Sequence, residues 1–132
     1  MPRVIVYAPP GVEWAGTPIA AHGTAIEIER CQDGQILLER VMQGRPDALI
    51  FGLDATAEDD LGLLHLVRRI ARDLPLVLVA NEGSLITQKL AQELRPIYYA
   101  VCPVDASEMC DALQAALDHR GRSGTGHSIT PR

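Results

Sequence analysis

The chain has 132 residues, 47% of them apolar, with a formal net charge of −5. That is the length of one domain with a single core and the composition of a soluble globular protein. No Lys/Arg cluster precedes the C-terminal tail, which argues against direct nucleic-acid binding, and no apolar run approaches the ~20 residues of a membrane span.

Arg3-Val4-Ile5-Val6-Tyr7-Ala8 is a first β-rich run, stopped by Pro9-Pro10-Gly11. Those prolines remove backbone donors, so the turn is no phosphate loop. The segment 12–22 holds Trp14 and Ile19, but Gly16 and Pro18 restrict it to a short or irregular helix. From Ala25 to Cys31 apolar and polar residues alternate, as in an edge strand with one wet face. Asp33-Gly34 marks a turn. Ile36, Leu37, Leu38, Val41 and Met42 then follow with helical spacing over 35–43, and Gly44 ends that helix.

Arg45-Pro46 leads into Asp47-Ala48-Leu49-Ile50-Phe51-Gly52-Leu53-Asp54. The run 48–53 is short and apolar throughout, which suits a strand buried on both faces. It delivers Asp54 to the carboxyl end of the sheet, where open parallel sheets bind their ligands. Asp59 or Asp60 then caps a helix to about Asp73, with a wide apolar stripe from Leu61 to Ile70. Arg68, Arg69 and Arg72 sit near its C-terminus, where the helix dipole favours cations.

Pro75 introduces a second buried strand, Leu76 to Ala80. Ser84 caps a helix through Leu94, and Pro96 stops it. Residues 97–102 form the last strand, in which Tyr98 and Tyr99 point to opposite faces. One of the two is expected in the core and the other in a surface contact. Ser107 to His119 is the final helix. From Arg120 the composition turns to Gly, Ser, Thr, Arg and Pro. The expected organisation is therefore one domain over 1–120 and a disordered tail over 121–132.

Cys31, Cys102 and Cys110 give neither a disulfide framework nor a zinc pattern. They read as reduced thiols of a cytoplasmic protein, and one early Arg before a strand-length apolar segment makes no signal peptide. His22, His65, His119 and His127 lack metal-ligand spacing. Strand and helix alternate through five units, which implies a doubly wound α/β fold: a five-stranded parallel sheet with helices on both faces. The flavodoxin-like order 2-1-3-4-5 is expected, and periodicity alone admits 3-2-1-4-5 almost as well.

In this order and spacing the chain resembles the receiver domain of two-component response regulators, over residues 3 to about 120. Arg45-Pro46-Asp47 leading to Asp54 is similar to the family's third strand, whose terminal Asp accepts a phosphoryl group. Residues 61–73 followed by Leu74-Pro75 resemble its third helix and the proline before the fourth strand. Cys102-Pro103 stands where the family has Lys-Pro, and Tyr99 falls at its aromatic switch position. The resemblance implies Asp54 as the phosphoacceptor equivalent. The departures from the pattern are large. The two Mg²⁺-binding acids correspond to Ala8 and Pro9, the phosphoryl-binding Ser/Thr to Ala80, and the Lys to Cys102.

Asp54 alone supplies one carboxylate, and Mg²⁺ is held by carboxylates together with phosphate. Glu58, Asp59 and Asp60 could replace the missing pair, but acids there are also ordinary first-turn residues that complement the helix dipole. The resemblance thus implies a degenerate receiver: a protein-interaction module, not an enzyme, without metal or cofactor. Its partner would be a signalling protein, its own effector domain or a second copy. Phosphorylation of Asp54 by an atypical route, and an unrelated flavodoxin-like small-molecule binder, are the alternatives.

Overall fold

β-Branched and large apolar residues fit a sheet covered on both faces, and they build its three inner strands. In the computed structural model the residues described are 2–8, 23, 25–44, 46–53, 58–80, 89, 92–101 and 104–125; for 58–60 and 120–125 this means the backbone alone. The strands are β1 (Arg3–Tyr7), β2 (Glu27–Cys31), β3 (Ala48–Leu53), β4 (Leu76–Ala80) and β5 (Tyr98–Val101). The helices are α1 (Gly34–Gln43), α2 (Glu58–Ile70) and α3 (Ala106–Thr125). The five strands form one sheet in the order β2-β1-β3-β4-β5. Every neighbouring pair is parallel. The flavodoxin-like order is therefore the correct one, and 3-2-1-4-5 is not.

Every residue of β3 and of β4 is buried. On one face of the sheet Val4, Val6, Ile50, Val77 and Val79 pack with Met109, Leu113 and Ala116 of α3. On the other, Ile5, Leu49, Phe51 and Leu78 pack with Leu37 and Val41 of α1 and Leu64 and Val67 of α2. The rings of Tyr7 and Phe51 stack within this layer, with centroids 4.7 Å apart. Burial of each such large side chain stabilises the fold by roughly 1.5–3 kcal/mol, so the two layers fix the sheet rigidly enough to position its ends.

Asp33 is the N-cap of α1 as well as a turn residue. Its Oδ1 accepts from the backbone N–H of Gln35 at 2.8 Å and of Ile36 at 3.4 Å, satisfying donors that the first turn leaves open. Gly34 lets α1 approach α2 closely: a Cβ there would lie 2.9 Å from Leu63 Cδ2. At the amino end of the sheet, the Arg3 N–H donates to Asp47 Oδ2 at 2.8 Å, and Arg3 Nη1 to the Gly44 carbonyl at 3.0 Å. Glu29 bridges Arg3 at 2.7 Å and Arg40 at 2.8 Å. Such partly exposed pairs contribute about 0–1 kcal/mol each. Their charges also mark β2 as an edge that resists further strand pairing.

Helix ends differ from expectation. α2 starts at Glu58, so Asp59 and Asp60 lie inside its first turn and do not cap it, and α3 starts at Ala106, one residue before Ser107. The stripe predicts a helix to about Asp73, whereas α2 ends at Ile70. Past it, Ala71 still donates to the Val67 carbonyl at 2.8 Å and Leu74 to Ala71 at 3.3 Å, and Pro75 excludes further helix. The last helix was expected to end at His119, but its backbone is helical to Thr125. The boundary drawn at Arg120 thus falls inside α3, because extending a formed helix needs no new nucleus. Of the expected tail 121–132, residues 126–132 lie outside the described residues, as do residues 12–22 and most of 84–94.

Cys31 ends β2 and is buried. Loss of solvent, and secondarily the nearby Glu29 carboxylate, push its thiol up to about 11 from 9.0, against a smaller opposing effect of Arg40. The native chain therefore binds the thiol proton more tightly than the unfolded chain. Stability is unaffected below pH 9.0 and falls as pH rises from there towards 11. Alkylation of Cys31 at pH 9.0 should be slow in the native protein and fast in denaturant, read by peptide mass mapping. Equal rates would show that the thiol is accessible in the fold.

Candidate functional site

The carboxyl ends of β1, β3 and β4 meet at one edge of the sheet. Leu53, the last residue of β3, is in register with Ala80, the last of β4, and Tyr7 is in register with Phe51. Ala8 follows β1 and extends its pairing, its N–H donating to the Cys31 carbonyl at 3.1 Å. Ala80 is fully buried and Ala8 nearly so. Both present methyl groups, which neither bind a cation nor donate a hydrogen bond. Asp54 succeeds Leu53 in the chain; it, Pro9 and Cys102 lie outside the described residues. Of the predicted site, the fold thus brings Ala8 and Ala80 to the same sheet edge, next to the strand that Asp54 follows. Among the described residues no group of three or more His, Cys, Asp and Glu is arranged to hold a metal ion.

β5 carries the two tyrosines on opposite faces, as alternation requires. Tyr98 packs against the α3 layer, and its hydroxyl donates to Glu108 Oε2 at 2.8 Å. That hydrogen bond, more than burial, raises its pKa. Tyr99 packs against the layer of α1 and α2. It is in register with Leu78, so it shares a sheet face with Leu78 and with Ala80 two residues further along β4. The Tyr99 hydroxyl is buried without a hydrogen-bond partner among the described residues, and burial raises its pKa. Tyr99 is therefore anchored in the core by its ring. Both tyrosines are half-buried, so neither is a wholly external contact. On β5 the more exposed apolar side chain is Val101, at 40%.

A residue that sequence reasoning assigned only to the helix dipole has a larger role. Arg68 Nε donates to the Leu94 carbonyl at 3.0 Å, Nη1 to those of Arg72 at 3.0 Å and Leu74 at 2.7 Å, and Nη2 to Arg95 at 3.4 Å. One guanidinium thus fastens the end of α2 to the segment that precedes β5. Arg95 takes a left-handed φ of 53° within that segment. A cation in the last turn of a predicted helix was the legible signal; its reach across to residues 94 and 95 was not.

No family model matches the chain. Over 129 residues, 98% of its length, the chain is 23% identical to the transcriptional regulatory protein PrrA of Mycobacterium tuberculosis, and it spans 55% of that protein. The chain thus spans about half the length of the curated relatives it matches. Among solved structures, the signal receiver domain of a modulated diguanylate cyclase from Desulfovibrio desulfuricans superposes with a TM-score of 0.73 at 15% identity, over 93% of this chain and 98% of that one. The chain has the receiver fold. A CheY-like response regulator receiver domain protein from Methanospirillum hungatei gives a TM-score of 0.72 at 14% identity, over 94% and 99% of the two chains.

Proposed function

We propose that this chain is a degenerate receiver, a signalling module that works by protein–protein contact and not by Mg²⁺-dependent phosphorylation of Asp54. The observation that carries the reading is Ala80: fully buried, last in β4, and in register with the residue before Asp54. A methyl group at that point cannot bond a phosphoryl oxygen. Ala8 adds no carboxylate at the end of β1, and Cys102 replaces an ammonium by a thiol. Phosphoryl transfer depends on positioning and on positive charge around the equatorial oxygens, and these substitutions remove both. In this reading the chain is no enzyme and acts in the cytoplasm. It presents β5 and α3 to a signalling partner, to an effector domain or to a second copy of itself, and it does not bind nucleic acid directly.

The test is exposure to acetyl phosphate with and without Mg²⁺, followed by intact-mass measurement. The expected result is no phosphorylated species under either condition. A phosphorylated species that disappears in Asp54→Asn would establish the atypical route instead.

A further inference from the structure

At the amino ends of β4 and β5, opposite to the edge that Asp54 follows, lies an open cavity of about 560 Å³. Its apolar wall includes Leu74, Pro75, Leu94 and Ile97, and Arg72, Arg95 and His119 stand at its polar side. The segments that form it are the residues after α2, those before β5, and α3 near His119. Cations at helix C-termini usually serve the helix dipole and the open carbonyls. Here Arg68 already bonds the carbonyls of Arg72, Leu74, Leu94 and Arg95. That leaves the side chains of Arg72, Arg95 and His119 without this role. All three are exposed, and none has a hydrogen-bond or ion-pair partner among the described residues.

Asp73 and Glu93 also line the cavity, but no ion pair joins them to Arg72 or Arg95 among the described residues. Three guanidinium groups against two carboxylates leave one positive charge in excess. The half-buried Arg68 is one of these three: loss of solvent lowers its pKa first, Asp73 opposes this, and the repulsion of Arg95 adds to the lowering. The volume is within the ~300–1,000 Å³ range of small-molecule sites.

We propose that this cavity binds a small organic anion, its carboxylate or phosphate group held by Arg72, Arg95 and His119 and its apolar body lying against Leu74, Leu94 and Ile97. Planar guanidinium groups suit such anions because they donate two parallel hydrogen bonds. The site lies next to Ile97, the residue before β5, so an occupant would touch the strand that carries Tyr98 and Tyr99 at its root. The proposal goes beyond the degenerate-receiver reading and does not depend on the state of Asp54.

The test is titration of the whole chain with phenyl phosphate, with benzoate and with benzyl alcohol, followed by amide ¹H–¹⁵N shifts. Phenyl phosphate or benzoate should give saturable shifts in the millimolar range at Leu74, Leu94, Ile97 and His119, and the preferred anion identifies the head group. Benzyl alcohol should bind about tenfold more weakly or worse, since it lacks the charge-assisted bonds. Arg72→Gln should weaken the anion by about tenfold. Arg95→Asn should do the same while tolerating the left-handed backbone, and each variant's spectrum reports whether it is folded. The titration should be unchanged in Asp54→Asn, which separates this site from the sheet edge that Asp54 follows. Absence of saturable shifts with either anion, equal binding of benzyl alcohol, or an affinity unchanged in folded Arg72→Gln would overturn the proposal.

Discussion

Arg68→Met is expected to lower the free energy of unfolding by about 2–3 kcal/mol. Methionine keeps the apolar stem of the side chain, so the change isolates the guanidinium. Its loss strands the carbonyls of Arg72, Leu74, Leu94 and Arg95, which now accept from it. Net values near 1.5–3 kcal/mol are typical of a hydrogen bond to a charged group, and partial exposure of these carbonyls keeps the total far below four such increments. The left-handed backbone at Arg95 adds to the effect, because a non-glycine residue with φ 53° is held in place by its surroundings. Arg68→Lys should recover only part of the loss, since an ammonium cannot span acceptors that a planar fork reaches. Urea unfolding gives the energy, and amide exchange should accelerate most at residues 71–76 and 94–97. A stability change under about 0.5 kcal/mol, as expected for an ordinary surface position, would show that water replaces the guanidinium without cost.

This clasp also marks the limit of what the sequence allowed. Apolar runs without polar interruption, such as 48–53 and 76–80, located the inner strands to the residue, because a strand buried on both faces has few alternatives. Strand order was less determined. Periodicity reports which faces are buried but not which strand lies beside which, and only the observed pairing of β1 with both β2 and β3 removes the second order. Ends of helices depended on tertiary contacts: α2 stops where Arg68 turns back onto the following carbonyls. Asp47 is a similar case. In sequence it belongs to the approach to the site strand, whereas in the fold it accepts the Arg3 N–H at the opposite end of the sheet. The positions of Ala8 and Ala80 were legible because each ends a run whose boundary a proline or a polar loop announces. The cavity between the ends of α2, β5 and α3 was not, since its basic side chains come from segments 23 or more residues apart in the chain.

The last expected result concerns Tyr99, whose hydroxyl is buried without a partner among the described residues. An unsatisfied buried hydroxyl costs about 1–3 kcal/mol, so Tyr99→Phe should leave the free protein as stable as before or raise its stability by about 1 kcal/mol. Tyr99→Ala should instead lower stability by about 2–4 kcal/mol, because the ring packs against the layer that contains Leu78 and Leu94. The pair of variants separates ring from hydroxyl. A hydroxyl partner in the active state of a receiver would have to come from the end of β4, but Ala80 shares that face and offers only a methyl group. A bound group can shift a conformational equilibrium only through an interaction that differs between the two states, and no such interaction links Ala80 to Tyr99. On the degenerate-receiver proposal, Asp54→Asn should therefore leave partner binding or self-association, and the stability of the Tyr99 variants, unchanged, measured by sedimentation equilibrium and thermal unfolding. If Tyr99→Phe destabilises the free chain, the hydroxyl has a partner after all. If Asp54→Asn abolishes partner binding or association in a folded protein, the surface is switched from the Asp54 edge, against the degenerate-receiver reading.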